Sequence, residues 1–195
     1  MQHLIDHARS FPEWAAQRQG MFSGLADGQS PLALFITCSD SRVIPSLITG
    51  ARPGELFELR TAGNIVPRPD GGQPTGEAAT IEFAVEVLGV SDIVVCGHSH
   101  CGAVSALVTD DRLPAAPLVR DWLDRATPLP DHAVADGLSG PVQHHVRDQL
   151  ERLRAYPGIA RRESEGEIGL HGWFYQVDTG TVLAHRAHAD EFVPL

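Results

Sequence analysis

Two stretches of this chain are apolar with almost no interruption: "PLALFIT" (31–37) and "SDIVVCG" (91–97). Neither alternates as a strand with one wet face would, and both are short and bounded by turn-forming residues, "GQSP" before the first and "GHSHCG" closing the second. They read as strands buried on both faces, and such strands need a layer of helices above and below them. "ELFELRT" (55–61), after "RPG", reads as another strand.

Helical periodicity fills the intervals. "GGQPTGEAATIEFAVEVLG" (71–89) places Ala78, Ile81, Ala84, Val85 and Leu88 on one face and ends at Gly89 as a helix C-terminus does. "HCGAVSALV" follows the 91–97 strand directly, one helical piece lies around "LVRDWLDRA" within the Pro-rich stretch 113–141, and "VQHHVRDQLERLRAY" (142–156) is amphipathic. "EIGLHGWFYQV" (167–177), the turn "DTG" and "TVLAHR" predict an edge strand and hairpin. The order predicts an α/β fold with a mainly parallel central β-sheet flanked by helices and an antiparallel C-terminal edge strand or hairpin.

The first 22 residues stand apart. Leu4, Ile5, Ala8, Phe11, Trp14 and Ala15 recur at helical spacing, and Pro12 predicts two short helices or a kink. Phe11 and Trp14 have no obvious local partner, so residues 1–22 are expected to form a helical arm, leaving 23–195 as a single α/β domain. A net charge of -10 and the lack of a basic run argue against nucleic acid. The N-terminus has no apolar signal core, and no stretch approaches ~20 apolar residues, so no membrane association is expected and the cytoplasm is the expected location. There Cys38, Cys96 and Cys101 are thiols or metal ligands rather than disulfide partners.

"FITCSDSRV" (35–43) sets Cys38, Asp40 and Arg42 at alternate positions just past one buried strand, and "GHSHC" sets His98, His100 and Cys101 just past another. Ligands of open parallel sheets bind beyond the carboxyl ends of the strands, so if these strands are neighbours the groups converge. Two thiolates and an imidazole suit Zn²⁺, with Asp40 or water in fourth place: three protein ligands and water in a catalytic site, four in a closed one. Spacing alone does not choose between His98 and His100. The turn before the helix also reads as an anion site at a helix N-terminus, Cys96 as a small buried hydrophobe, and Asp40 with Arg42 as a surface salt bridge or as an oriented carboxylate beside a metal.

"CSDSRV" and "VVCGHSHCGAV", with "PGELFELRTAGNIVP" between them and "LHGWFYQVDTG" after, closely resemble the β-class carbonic anhydrases over residues 20–185. The resemblance implies zinc on Cys38, His98 and Cys101, with Asp40 either a fourth ligand in a closed state or the acceptor for a zinc-bound hydroxide, and Arg42 as its partner. "GQSP" resembles the plant-like branch, in which Gln29 hydrogen-bonds substrate. Phe57, Ala62 and Phe83 fall on the apolar wall, and the Gly102 N–H faces the same substrate. Phe83 stands where many relatives have tyrosine, and Thr61 replaces the amide of "RNAGN". The implied reaction is reversible hydration of CO₂ to bicarbonate and a proton by attack of zinc-bound hydroxide. Carbonyl sulfide or carbon disulfide as substrate, or a non-catalytic zinc-binding module, are the alternatives. The implied assembly is a homodimer or larger, with the N-terminal helices embracing a neighbour. Phe35 occupies the place of a tryptophan that serves a bicarbonate-responsive closed state in some relatives, although Arg60 matches that site. An open site with Asp40 paired to Arg42 is therefore expected near neutral pH.

Overall fold

A computed structural model describes residues 1–69, 74–109, 113–126 and 139–195. Its sheet is built from β1 (Ala33–Cys38), β2 (Leu56–Thr61), β3 (Asp92–His98), β4 (Gly169–Tyr175), β5 (Val182–Arg186) and β6 (Glu191–Pro194), in the order β2-β1-β3-β4-β5-β6. β1 and β3 are the most deeply buried strands, as their unbroken apolar runs require. β2, β1, β3 and β4 are parallel and β5 and β6 antiparallel.

β4 is not the edge strand that residues 167–177 predicted. It pairs in parallel with β3 from Asp92↔Gly169 to His98↔Tyr175 and carries β5 on its other side; the edge is β6, which the sequence did not announce. β4 is half-buried and alternates, because the helix Ser139–Arg154 covers the face that bears Gly172 and Phe174 and the face of His171, Trp173 and Tyr175 is only partly covered.

Helix α1 (Gln2–Ala16) runs unbroken through Pro12, where two helices or a kink were predicted. The proline costs one backbone bond, to the carbonyl of Ala8, but α1 is exposed throughout and water can serve that carbonyl. After α2 (Gln19–Phe22) and α3 (Pro45–Thr49) comes α4 (Gly76–Glu82), capped by Thr75, whose hydroxyl accepts from the Ala78 N–H at 3.2 Å. Part of the predicted 71–89 helix, residues 71–73, lies outside the described residues. Its C-terminal half widens into a π turn over Phe83–Val87. α5 (Gly102–Thr109), α6 (Pro117–Leu123), α7 (Ser139–Arg154) and α8 (Pro157–Ser164) complete the described helices. The predicted 142–156 helix is α7, which begins earlier, at Ser139, and ends at Arg154, because Tyr156 already serves as the N-cap of the next helix and Pro157 opens its first turn.

The main core lies between the sheet and α4, α7 and α8, with Leu34, Ile36, Ile93 and Val95 facing Val85, Val146, Leu150 and Leu153. Two glycines let α7 press on the sheet. A Cβ at Gly97 would lie 2.7 Å from Val142 Cγ1 and from Val146 Cγ2, and one at Gly172 would lie 3.0 Å from Leu150 Cδ1. The other face carries a smaller layer of Phe35, Val94 and Cys96 against Leu56, Trp173 and Tyr175. α1 buries none of its residues: Phe11, Trp14 and Phe22 pack on one another at ring separations of 5.4, 5.9 and 6.1 Å and remain largely outside the core.

Candidate metal centre

β1 and β3 are hydrogen-bonded parallel neighbours, so their last residues, Cys38 and His98, stand side by side at the carboxyl edge of the sheet. His100 takes a left-handed turn, φ 57°, and this returns the chain so that Cys101 sits at the start of α5. The ligand atoms of Cys38, His98 and Cys101 lie within 4.8 Å of one another, and all three residues are buried.

His98 is the imidazole of this group, and its environment fixes its tautomer. Nδ1 lies 2.8 Å from the Ser99 carbonyl oxygen, which can only accept, so Nδ1 bears the proton and Nε2 keeps its lone pair. That Nε2 is buried with no hydrogen-bond partner among the described residues. An orphaned acceptor beside two sulfurs is what a soft or borderline divalent cation satisfies, and the donor set fits zinc. An anion at this turn would meet a lone pair and the sulfur of an easily ionised Cys38, which disfavours the alternative of an anion site. His100 is exposed and turned away, offering only its carbonyl, which accepts from Arg42 Nη2 at 3.1 Å. Cys96 is buried among apolar groups, and burial pushes its thiol up to about 12, as an inert core residue would have it.

The two sulfurs compete for one proton. A hydrogen bond from Cys101 is the main reason that Cys38 ionises easily, against the cost of burial, with further help from the N–H groups of Gly63 and Asp40. The same sharing, followed by burial, pushes Cys101 strongly upward. A divalent cation removes the conflict, because it favours both groups as thiolates.

Asp40 stands beside this trio. Arg42 donates to it three times: N–H and Nε to Oδ1, each at 2.9 Å, and Nη2 to Oδ2 at 2.7 Å. These bonds, first among several causes, hold its carboxyl well below the usual carboxylate range against a modest burial cost. Asp40 Oδ2 is 3.9 Å from His98 Nε2. Arg60 gathers the loop from beneath, donating to the carbonyls of Cys38 at 3.0 Å and of Asp40 and Val43 at 2.8 Å each. Sequence reasoning treated Arg60 only as the companion of Phe35 and missed this scaffold; an arginine two positions past an outward strand residue gave no sign of it. Phe35 itself is buried against Trp173 at a ring separation of 5.8 Å.

The residues predicted for the substrate pocket divide into two groups. Ala62 and Gly102 line a cavity of about 320 Å³ next to the centre. Gln29, Phe57 and Phe83 are not brought there. Gln29 is exposed in the segment leading into β1, at the end of that strand opposite Cys38. Phe57 pairs with Leu34, four positions before Thr61 pairs with Cys38, and this places it roughly 13 Å down the strand. Phe83 packs on Phe57 at 5.9 Å and is 42% exposed.

Residues 33–182 match the profile of the carbonic anhydrase family. A carbonic anhydrase of Pseudomonas aeruginosa is 45% identical over 203 aligned positions, covering 100% of this chain and 92% of that one. The solved structure of the β-carbonic anhydrase CcaA superposes with a TM-score of 0.91 at 37% identity, covering 100% of this chain and 92% of the other. The chain belongs to the β-class carbonic anhydrases. As a member of this enzyme family it also resembles carbonic anhydrase 1 of Escherichia coli O157:H7, 40% identical over 100% of this chain and 92% of that one. Tetrameric β-carbonic anhydrases from Sordaria macrospora give a TM-score of 0.80 at 30% identity, covering 94% of this β-class chain and 95% of the other. No described helix is long and apolar enough to cross a membrane.

Proposed function

We propose that this carbonic anhydrase hydrates CO₂ reversibly to bicarbonate and a proton, with zinc held by Cys38, His98 and Cys101. The observation that carries the reading is the buried, unpartnered Nε2 of His98 within 4.8 Å of two cysteine sulfurs, beside a carboxylate clamped by an arginine. A zinc ion there supplies a Lewis acid that brings the pKa of water to about 7. Asp40 is not one of the converging ligands, and its oxygens are engaged by Arg42, which supports an open site with the carboxylate reserved for the reaction. From its place 3.9 Å from His98 Nε2, Asp40 accepts a hydrogen bond from the attacking water and thereby aims its lone pair at the carbon of CO₂. The N–H of Gly102, in the first turn of α5, has no place in the helix ladder and is available to an oxygen of substrate or product. Phe35, which lacks an indole N–H, supports assignment to the plant-like branch.

The division of the pocket residues supports a homodimer or larger assembly. Gln29 and Phe83 are exposed far from their own chain's centre, and they complete a wall only in the site of a second copy, as does the aromatic arm of α1, which finds no core of its own. The three cysteines are all unpaired, as suits a reducing compartment, which supports a cytoplasmic location.

The test is Asp40→Asn, with zinc content and CO₂ hydration measured on the same preparation. The variant should keep its zinc and lose most of its rate. Loss of the metal would show that Asp40 holds it, and a zinc-free, inactive parent protein would overturn the whole assignment.

A further inference from the structure

The link from Thr61 to Val66 turns through two left-handed residues of the types that accept that conformation best, glycine and asparagine. Gly63 and Asn64 are buried in consecutive left-handed conformations, φ 75° and 47°, and a Cβ at Gly63 would lie 2.9 Å from that of Ala103. The product of this turn is one contact: the Gly63 N–H donates to Cys38 Sγ at 3.4 Å.

What holds the turn comes from elsewhere in the chain. The Ala62 carbonyl, in the same peptide plane as that N–H, accepts from Trp122 Nε1 at 2.8 Å. The Gly63 carbonyl, in the next plane, lies 2.8 Å from His145 Nε2. His145 belongs to a polar stripe on α7, with Gln149 and Arg152 one and two turns on, and all three are buried. Because a carbonyl only accepts, His145 carries its proton on Nε2, and its Nδ1 is an acceptor for Gln149 Nε2 at 3.4 Å. Gln149 Oε1 accepts from the Val66 N–H at 2.8 Å, and Arg152 Nη1 donates to the Val66 carbonyl at 3.1 Å. Each donor meets an acceptor only with this tautomer and this amide orientation.

We infer that His145 and Gln149 are positioning residues for the metal centre: they fix the Gly63 peptides so that one N–H stays on the sulfur of Cys38 and holds that sulfur in place for the metal. The inference rests on the zinc reading above. An N–H bond to a ligand sulfur fixes the direction in which it meets the metal, and loss of outer partners of this kind costs affinity about 10- to 100-fold. Neither residue touches the metal or the substrate cavity.

The experiment uses the full-length protein loaded with cobalt, for its near-ultraviolet thiolate-to-metal absorption, and with zinc, for its release rate to a chelator. In His145→Leu the charge-transfer bands should shift and zinc should leave about tenfold faster, while His145→Gln, which retains a donor near the position of Nε2, should restore both. If His145→Leu does not fold, Gln149→Met, which leaves the imidazole but removes both the Val66 and the Nδ1 partner, takes its place with the same expected shift. A folded variant with unchanged bands and unchanged zinc release would overturn the inference, as would a His145→Gln that behaves like His145→Leu. A parent protein that takes up no cobalt would instead refute the zinc reading, and the two failures are thus distinguishable.

Discussion

Replacing Arg42 by leucine separates two things that an arginine can do for a carboxylate: keep it charged, or keep it still. The variant removes two of the three bonds to Asp40, those from Nε at 2.9 Å and Nη2 at 2.7 Å, and leaves the backbone N–H bond to Oδ1. The folded carboxyl is held below its ordinary value of 3.8, so its preference for the ionised form is present above that pH and is lost only as pH falls through the folded value. Even if the variant restored the ordinary value of 3.8, only about 0.06% of Asp40 would be protonated at pH 7. Ionisation therefore has no room to explain a loss of rate at neutral pH, and orientation has. The expected loss is about 10- to 100-fold, the range for partners that orient a group beside a metal. Stopped-flow CO₂ hydration with an indicator dye, followed from pH 6 to 9 with zinc content in parallel, should give a ratio to wild type that does not change with pH. A ratio that climbs toward one as pH rises, or no loss at all, would refute the orientation argument.

Gly97→Ala should destabilise the protein by about 1–3 kcal/mol, since the new methyl meets two valine methyls of α7 at 2.7 Å; an unchanged denaturant midpoint would mean that α7 yields more easily than a packed layer should. Burial lowers the pKa of His145 below 6.5, with Asp148 opposing that shift and Arg152 and His144 adding to it. The unfolded chain then binds this proton first, so stability is full above about pH 6.5 and falls as pH drops below it. The difference between thermal midpoints of wild type and His145→Gln should therefore change between pH 7.5 and 5, and parallel curves would contradict it. Removing residues 1–22 should lower the mass seen by light scattering or cause aggregation, whereas a full-length chain that scatters as a monomer would rule out the shared assembly.

The parallel sheet and the two ends that bear the ligands were legible because burial on both faces leaves a plain signature: "LALFIT" and "IVVCG" carry no charged or imidazole group, so the first such groups after them, Asp40 and His98, mark the carboxyl edge. The choice of His98 over His100 was not legible, since it depends on a left-handed turn at His100 that leaves this residue exposed while His98 is buried. α3 and α8 were missed because each is short and opens on a proline, a residue that reads locally as an interruption although it suits a first helical turn. The polar stripe of α7 was hidden for a different reason. His145, Gln149 and Arg152 look like the wet side of an amphipathic helix, and only the tertiary fold reveals that what they solvate is the 62–66 backbone.

The distance of Phe57 and Phe83 from their own chain's cysteines has a genetic consequence. If each reaction chamber is built from two copies, alleles of this gene need not be recessive or dominant in the ordinary way. A subunit with Cys38→Ala lacks a centre but offers an intact wall, and one with Phe83→Asp offers the reverse. Mixed in equal amounts, they assort into homodimers that are dead at both chambers and heterodimers in which one chamber receives both sound halves and the other both damaged ones. Roughly a quarter of all chambers would work, although neither parent has any. Two broken copies of one sequence would thus rescue each other in the same cell, as alleles of an enzyme whose working unit is contained in a single chain never can.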